Sequence, residues 1–393
     1  MYPTLYHALL DLFGLELPFL KLVNSFGFFV ALAFISASVL LKMEMKRMEL
    51  KGIFPAQKVK QILGAGPQWS EIITNAFLGF FLGWKMIFLF VNSDEIFAHG
   101  MAQKALMSGD GYPLLGVLLA LVLGGWKYWE DKKAQLPQPK EQIVEEPAHL
   151  LVGSITFVAA IAGMSGAKLF HLLENPNELV VFFSNPSLEN FTSGLTIYGG
   201  IIVGSIVVLI YAKKKNLPLL HLSDAAAPGM ILAYGIGRMG CQTSGDGDWG
   251  IDNPAPMPNW MQFLPDWMWS YDYPNNVLGM GVPIEQGEIF PGYGTHLEIP
   301  VFPTPLYETI LATLIFFILW SLRKRIQIPG VIFALYLVLN GIERFFIEQI
   351  RVNNFVEYLG MKWTQAMVIA LMMVVGGTAA IVVLKKYHER SRT

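Results

Sequence analysis

A single cysteine, Cys241, in 393 residues excludes an internal disulfide and any zinc cluster of the usual multi-cysteine kind. Charge is scarce too. Asp, Glu, Lys and Arg make up 15% of the chain against 53% hydrophobic residues, and the mean hydropathy is +0.45, a balance that argues against a soluble protein. The net charge of −2 leaves no bulk basic surface, so no nucleic-acid partner is expected. The first sixteen residues lack a basic segment and a small-residue cleavage site, so no removable signal peptide is expected.

What is present is long apolar runs. A spanning helix takes about 20 such residues. Nine candidates occur, at 18–41, 71–91, 112–129, 149–173, 194–212, 221–241, 303–322, 330–350 and 363–384. The expected fold is all-α: a polytopic membrane helical bundle of nine spans forming one domain over 1–393, with 243–302 as an outside arm or loop. Basic residues fix the direction. Lys42, Lys46, Arg47, Lys51, Lys58 and Lys60 follow the first span, and Lys127, Lys132, Lys133 and Lys140 the third. Lys213–Lys215 follow the fifth, Arg323–Arg325 the seventh, and Lys385, Lys386, Arg390 and Arg392 the ninth. All therefore lie on one side, which the positive-inside rule makes cytoplasmic. The opposite loops hold Lys104 and Lys362 but are rich in acids. The N-terminus is expected outside and the C-terminus inside.

Two stretches match without gaps at an offset of 83 residues: Gly83, Lys85, Asn92, Glu95, Gly111 and Gly116 recur as Gly166, Lys168, Asn175, Glu178, Gly194 and Gly199. Each is one helical hairpin, so 71–129 is expected to be a duplicate of the hairpin that follows it. Lys85 and Lys168 read as snorkelling or pairing residues.

Polar residues concentrate in the second half. The glycine-rich run Gly235–Gly250 carries Arg238 at the edge of the hydrocarbon, where a permanent planar charge is costly unless paired and suits a phosphate. Read alone, it fits equally an arginine reaching for headgroups. Asn340, Arg344, Glu348 and Arg351, spaced four, four and three, share a helical face and read as the lining of a polar cavity, with Glu343 off that face and pairing locally. Pro303-Thr-Pro-Leu-Tyr-Glu308 reads as a helix start with Tyr307 at the interface. Tyr198-Gly199-Gly200 says close helix packing, and Cys241 a small packing residue.

In combination these motifs resemble those of the prolipoprotein diacylglyceryl transferases. The resemblance covers roughly 149–385, with Ser25-Phe-Gly27 similar to the family's Ser-Tyr-Gly. It implies that Arg238, Gly250 and Arg344 stand at the family's essential positions, Glu348 at an important acidic one, and Tyr198 where many members have a functional His. Cys241 stands where better-known members have Asn, Asp246 replaces Glu with an extra residue before Trp249, and Phe26 and Asn340 each replace Tyr. Seven spans are typical of the family, which leaves 71–129 as an inserted pair.

The implied activity is transfer of a diacylglyceryl group from phosphatidylglycerol to the lipobox cysteine of a prolipoprotein in the bacterial inner membrane, with glycerol phosphate released. On that reading Arg238, Arg344, Asp246, Glu348 and Tyr198 are the expected catalytic set, with Asp246, or else Tyr198, handling the thiol proton. Gly199, Gly200, Gly250, Tyr307, Asn340 and Arg351 join the two arginines around the lipid head. The expected partners are phosphatidylglycerol, the lipobox peptide and membrane lipids, with no metal or other cofactor required. Two other readings stay open: a non-catalytic lipid-binding relative, given the substituted polar positions, and a small-solute transporter, given the repeat.

Overall fold

The computed structural model describes residues 1–92, 108–137, 139–184, 194–285, 292–353 and 361–390, with 96, 105, 106, 290 and 356–358 between them. Glu95, Lys104 and Arg392 lie outside the described residues. The fold is mostly helical. A short helix α1 (Leu5–Phe13) precedes α2 (Ser25–Glu49), α3 (Trp69–Val91), α4 (Pro113–Lys133), α5 (Val152–Glu174) and α6 (Ile197–Lys214). Then come α7 (Leu219–Ser244), α8 (Thr304–Leu322), α9 (Val331–Ile347) and α10 (Gln365–Arg390).

Among the described residues, seven helices are long and apolar enough to cross a membrane: α2, α3, α5 with its leading turn, α6, α7, α8 and α10. The other two expected spans are helical as well. α9 is only 17 residues long, and α4 carries Lys127, Glu130, Asp131, Lys132 and Lys133 in its last turns. The first span shifts most from expectation. Pro18 opens a separate 3-10 turn, and the Asn24 side chain, accepting from Gly27 N at 3.2 Å, starts α2 seven residues late. At its far end Glu44 pairs with Arg47 and with Arg323 at 2.7 Å, which carries the helix through the basic segment.

The chain is not purely helical. Two-stranded antiparallel ribbons form at three places, the longest pairing β1 (Gln57–Leu63) with β2 (Lys140–Glu146), in register from Gln57 opposite Glu146 to Leu63 opposite Lys140. These strands follow α2 and precede α5, so α3 and α4 leave and rejoin the bundle through adjacent strands. The ribbon also places the first two basic segments on the same side. The end of α8 joins them through Arg323–Glu44, and the starts of α7 and α9 meet where Asp224 accepts from Gly330 N at 2.7 Å and Phe333 N at 2.9 Å.

The core is built from five helices. α2 packs along α7, α7 on α8, and α9 on α8, α7 and α10. Its apolar centre joins Ala227 and Ile231 of α7 to Ala312, Ile315, Phe316 and Leu319 of α8 and Ile332 of α9. The two hairpins, α3–α4 and α5–α6, each pack chiefly on themselves. Both cross at matching glycines: a Cβ at Gly83 would lie 2.8 Å from Gly116 Cα, and one at Gly166 would lie 2.5 Å from Gly199 O. Asn92 and Asn175 also donate alike, to Phe88 O at 2.9 Å and His171 O at 3.1 Å. Lys85 does not snorkel. It is 1% exposed, and its Nζ donates to the carbonyls of Ala105, Ser108 and Asp110 at 2.7–2.8 Å.

Candidate active site

The site lies at the end of the bundle opposite the basic clusters, and its centre is Glu308. Proline at the first turns of α8 sets the helix to begin at Thr304, which places Glu308 one turn inside, fully buried. Its Oε1 accepts from Tyr234 Oη of α7 at 2.7 Å and from Arg344 Nη1 of α9 at 2.9 Å, while Oε2 faces Arg238 Nε of α7 at 3.2 Å. The two arginines named from sequence therefore converge on one carboxylate. An unpaired guanidinium or carboxylate at this depth would cost several kcal/mol, so the partners hold each other in place.

The network extends outward. Arg238 also pairs with Asp248, whose other oxygen accepts from Arg351 Nη2 at 2.8 Å. Arg344 Nη2 lies 3.1 Å from Glu348 Oε2, and Glu348 Oε1 accepts from Asn353 at 2.5 Å and Thr364 at 2.8 Å. Three guanidiniums thus face three carboxylates, Glu308, Asp248 and Glu348. Burial pushes the Asp248 carboxyl up, but Arg238 and Arg351 outweigh it and hold it below the ordinary aspartate range. Burial keeps Asp246 above that range.

The polar stripe expected on one helical face is not one helix. α9 stops at Ile347, a 3-10 turn covers Glu348–Ile350, and Arg351 is extended. Gly250 makes that geometry possible. Its N donates to Phe302 O at 2.8 Å, Ile251 N donates to Ile350 O at 2.9 Å, and a Cβ at Gly250 would lie 2.5 Å from Ile350 O. Only glycine lets this loop lie against the turn that delivers Arg351 to Asp248. Asn340 donates to Tyr336 Oη at 3.2 Å, and Tyr307 donates to Met268 O at 2.8 Å, tying the segment around Met268 to the start of α8. Tyr198 is half-buried in the first turn of α6, and no hydrogen bond or ion pair joins it to the Glu308 cluster among the described residues. Gly199 packs on Gly166 and Phe170, and Gly200 on Gly163, as a helix crossing.

Asp246 accepts from Asp248 N at 3.3 Å and makes no pair with an arginine among the described residues. Cys241 is buried, with Sγ 3.9 Å from Arg238 Nη1 and 3.7 Å from Asp248 Oδ2. Cys241, Asp246 and Asp248 bring ligand atoms within 4.8 Å of one another, a set that could take a metal ion, although Asp248 is engaged by two arginines. Sequence reasoning passed over Glu308 and Asp248. Glu308 could have been found: no other charged residue occurs until Arg323, and a lone acid in an apolar helix needs a partner. Asp248 was hidden by the extra residue before Trp249, which gives two acids for one role.

The family model described as prolipoprotein diacylglyceryl transferase matches residues 111–383. The chain belongs to the prolipoprotein diacylglyceryl transferase family. Curated relatives named phosphatidylglycerol–prolipoprotein diacylglyceryl transferase are similar to it. The one from Corynebacterium glutamicum is 29% identical over 61% of this chain and 71% of its own length. Those from Clostridium tetani (30% identical, 50% of this chain, 67% of the relative) and Bifidobacterium adolescentis (27%, 69% and 74%) agree. The stretch matched to the diacylglyceryl transferases takes in Glu308 and all three arginines, and begins at the start of α4. In the fold, however, α2 is the helix that lies along α7, with Gly240 against Phe26 and Phe29, while α4 lies on α3.

Proposed function

We propose that this membrane protein transfers the diacylglyceryl group of phosphatidylglycerol to the lipobox cysteine of prolipoproteins, releasing glycerol phosphate. The observation that carries this reading is the convergence of Arg238 and Arg344 on Glu308. Two preset guanidiniums in a water-poor site suit the phosphate of one lipid head and the charge that develops as it leaves. The peptide sulfur bonds to the glyceryl carbon, the carbon–oxygen bond breaks, and its electron pair stays on the phosphate. A free thiol titrates at about 8.5, so a nearby base is needed to raise the thiolate fraction. Asp246, whose carboxylate carries no arginine, is the first candidate and Tyr198 the second. Asp248, Glu348 and Glu308 orient the arginines. Gly250, Gly199 and Gly200 shape the backbone around the head, and Tyr307, Asn340 and Arg351 border it.

In this reading nine helices span the bacterial inner membrane, with the N-terminus outside and the C-terminus in the cytoplasm. The inserted element is the α3–α4 hairpin, a duplicate of α5–α6, and 243–302 forms a periplasmic arm that admits the precursor. The purified protein, incubated with phosphatidylglycerol and a lipobox peptide, is expected to yield a thioether-linked product. Lipid binding without product would instead support a non-catalytic relative, and solute counterflow in vesicles a transporter.

A further inference from the structure

Of the five acids around the site, Glu308, Asp248 and Glu348 have an arginine partner, and Asp246 accepts from the Asp248 backbone N. Glu343 has neither. It precedes Arg344 in α9, is 4% exposed, and neither of its oxygens meets a hydrogen-bond donor among the described residues. It lies within electrostatic reach of Glu308 of α8, Arg238 of α7 and Arg344 and Arg351 of its own segment. The nearest side-chain amide on its helix, Asn340, donates to Tyr336 instead. A buried carboxyl group with both oxygens unmet costs several kcal/mol, and the local pairing expected from sequence does not occur. Arg238 and Arg344 face Glu308, and Arg351 meets Asp248 through Nη2 while its Nε and Nη1 have no hydrogen-bond partner, so none of the three donates to Glu343 and a ligand can supply the missing donors.

We propose that Glu343 recognises the headgroup glycerol of phosphatidylglycerol, its two carboxyl oxygens accepting from the two adjacent hydroxyls while Arg238 and Arg344 hold the phosphate. This rests on the transferase reading and adds the basis of its lipid choice. The chemistry is that of an acidic side chain taking a sugar diol. A lipid head with one phosphate and a vicinal diol satisfies the arginines and Glu343 together. A head without hydroxyls satisfies the arginines alone and leaves Glu343 unmet, so the discrimination is built from an unmet polar group. Glu343 thereby acts on specificity, and the arginines on the transfer itself.

The test compares phosphatidylglycerol with phosphatidylpropanol of the same acyl chains, in the full-length protein and in Glu343→Leu and Glu343→Gln. The wild-type protein is expected to favour phosphatidylglycerol by about 10–100-fold in kcat/KM, the range for hydrogen bonds to a charged group. In Glu343→Leu that preference should collapse, through loss of rate with phosphatidylglycerol and little change with phosphatidylpropanol. Glu343→Gln, which folds with one acceptor kept, should fall between. Equal losses with both lipids would assign Glu343 a structural role, and an unchanged preference in both variants would remove it from the headgroup; either overturns the proposal. The same preference read as competition for binding in nanodiscs separates the two readings. Wild-type protein that makes no thioether yet prefers phosphatidylglycerol through Glu343 sinks the transferase and keeps the headgroup site.

Discussion

Glu308 shows how little freedom the buried polar residues have. One carboxylate on α8 answers Tyr234, Arg238 and Arg344, so moving any of them disturbs the rest. Replacing Arg238 or Arg344 by Gln keeps a polar side chain and removes the fixed charge. Thioether formation is expected to fall by at least about 100-fold for each, with the protein still inserted and monodisperse in detergent. Near-normal transfer by both would discard the phosphate assignment. Asp246 and Asp248 should separate by pH. Asp248 is held below the ordinary aspartate value, so its contribution to stability is present above that value and lost only as pH falls through its lower folded one. Asp246 is held above it, so its contribution is complete below the ordinary value of 3.8 and fades as pH rises through the raised one. As a base, Asp246 should give an acidic limb in the rate profile above the ordinary aspartate range, absent in Asp246→Asn. Asp248→Asn should lower the rate at every pH and, by removing a neighbouring negative charge, move that limb towards lower pH.

At the scale of elements, the α3–α4 hairpin enters and leaves through paired strands, Gln57 standing opposite Glu146. Partners across such a ladder have Cα atoms about 5 Å apart, a gap that a two-residue turn closes. Excising 57–146 and joining the ends with Asn-Gly is expected to leave an inserted protein whose transfer rate stays within about threefold, a change of under 1 kcal/mol in barrier. A protein that no longer inserts or turns over would show that α3–α4 completes the bundle after all. The α5–α6 crossing should be far less tolerant. Gly199→Val forces a side chain onto the backbone of Gly166, and overpacking of this kind costs about 1–3 kcal/mol. A lowered melting midpoint in detergent would confirm it, and an unchanged one would mean the helices separate freely.

For the molecule as a whole, the decisive quantity is which side each end faces. The ribbon, the Arg323–Glu44 pair and the Asp224 contacts gather the basic segments at one end, and the arginine cluster lies at the other. With Cys241 changed to Asn, a cysteine placed at Lys51 should label with an impermeant maleimide only after the cells are opened. One placed at Phe263 should label in intact cells. The reverse pattern would invert the topology and put the site on the wrong leaflet for a secreted precursor.

The linear pattern alone located the helices and picked out the arginines too costly to leave unpaired, because length, hydropathy and charge are local properties of the chain. Helix ends followed from local chemistry that only the folded chain displays, as at Asn24 and at Ile347. Pairing was decided in three dimensions. Two acids two residues apart, Asp246 and Asp248, are equivalent on paper, yet only Asp248 meets Arg238 and Arg351. α2 and α4 are both apolar runs with basic ends, yet only α2 lies along α7. Glu343 and Arg344 are neighbours in sequence, but on a helix adjacent side chains point about 100° apart, and Arg344 turns to Glu308 and Glu348 instead.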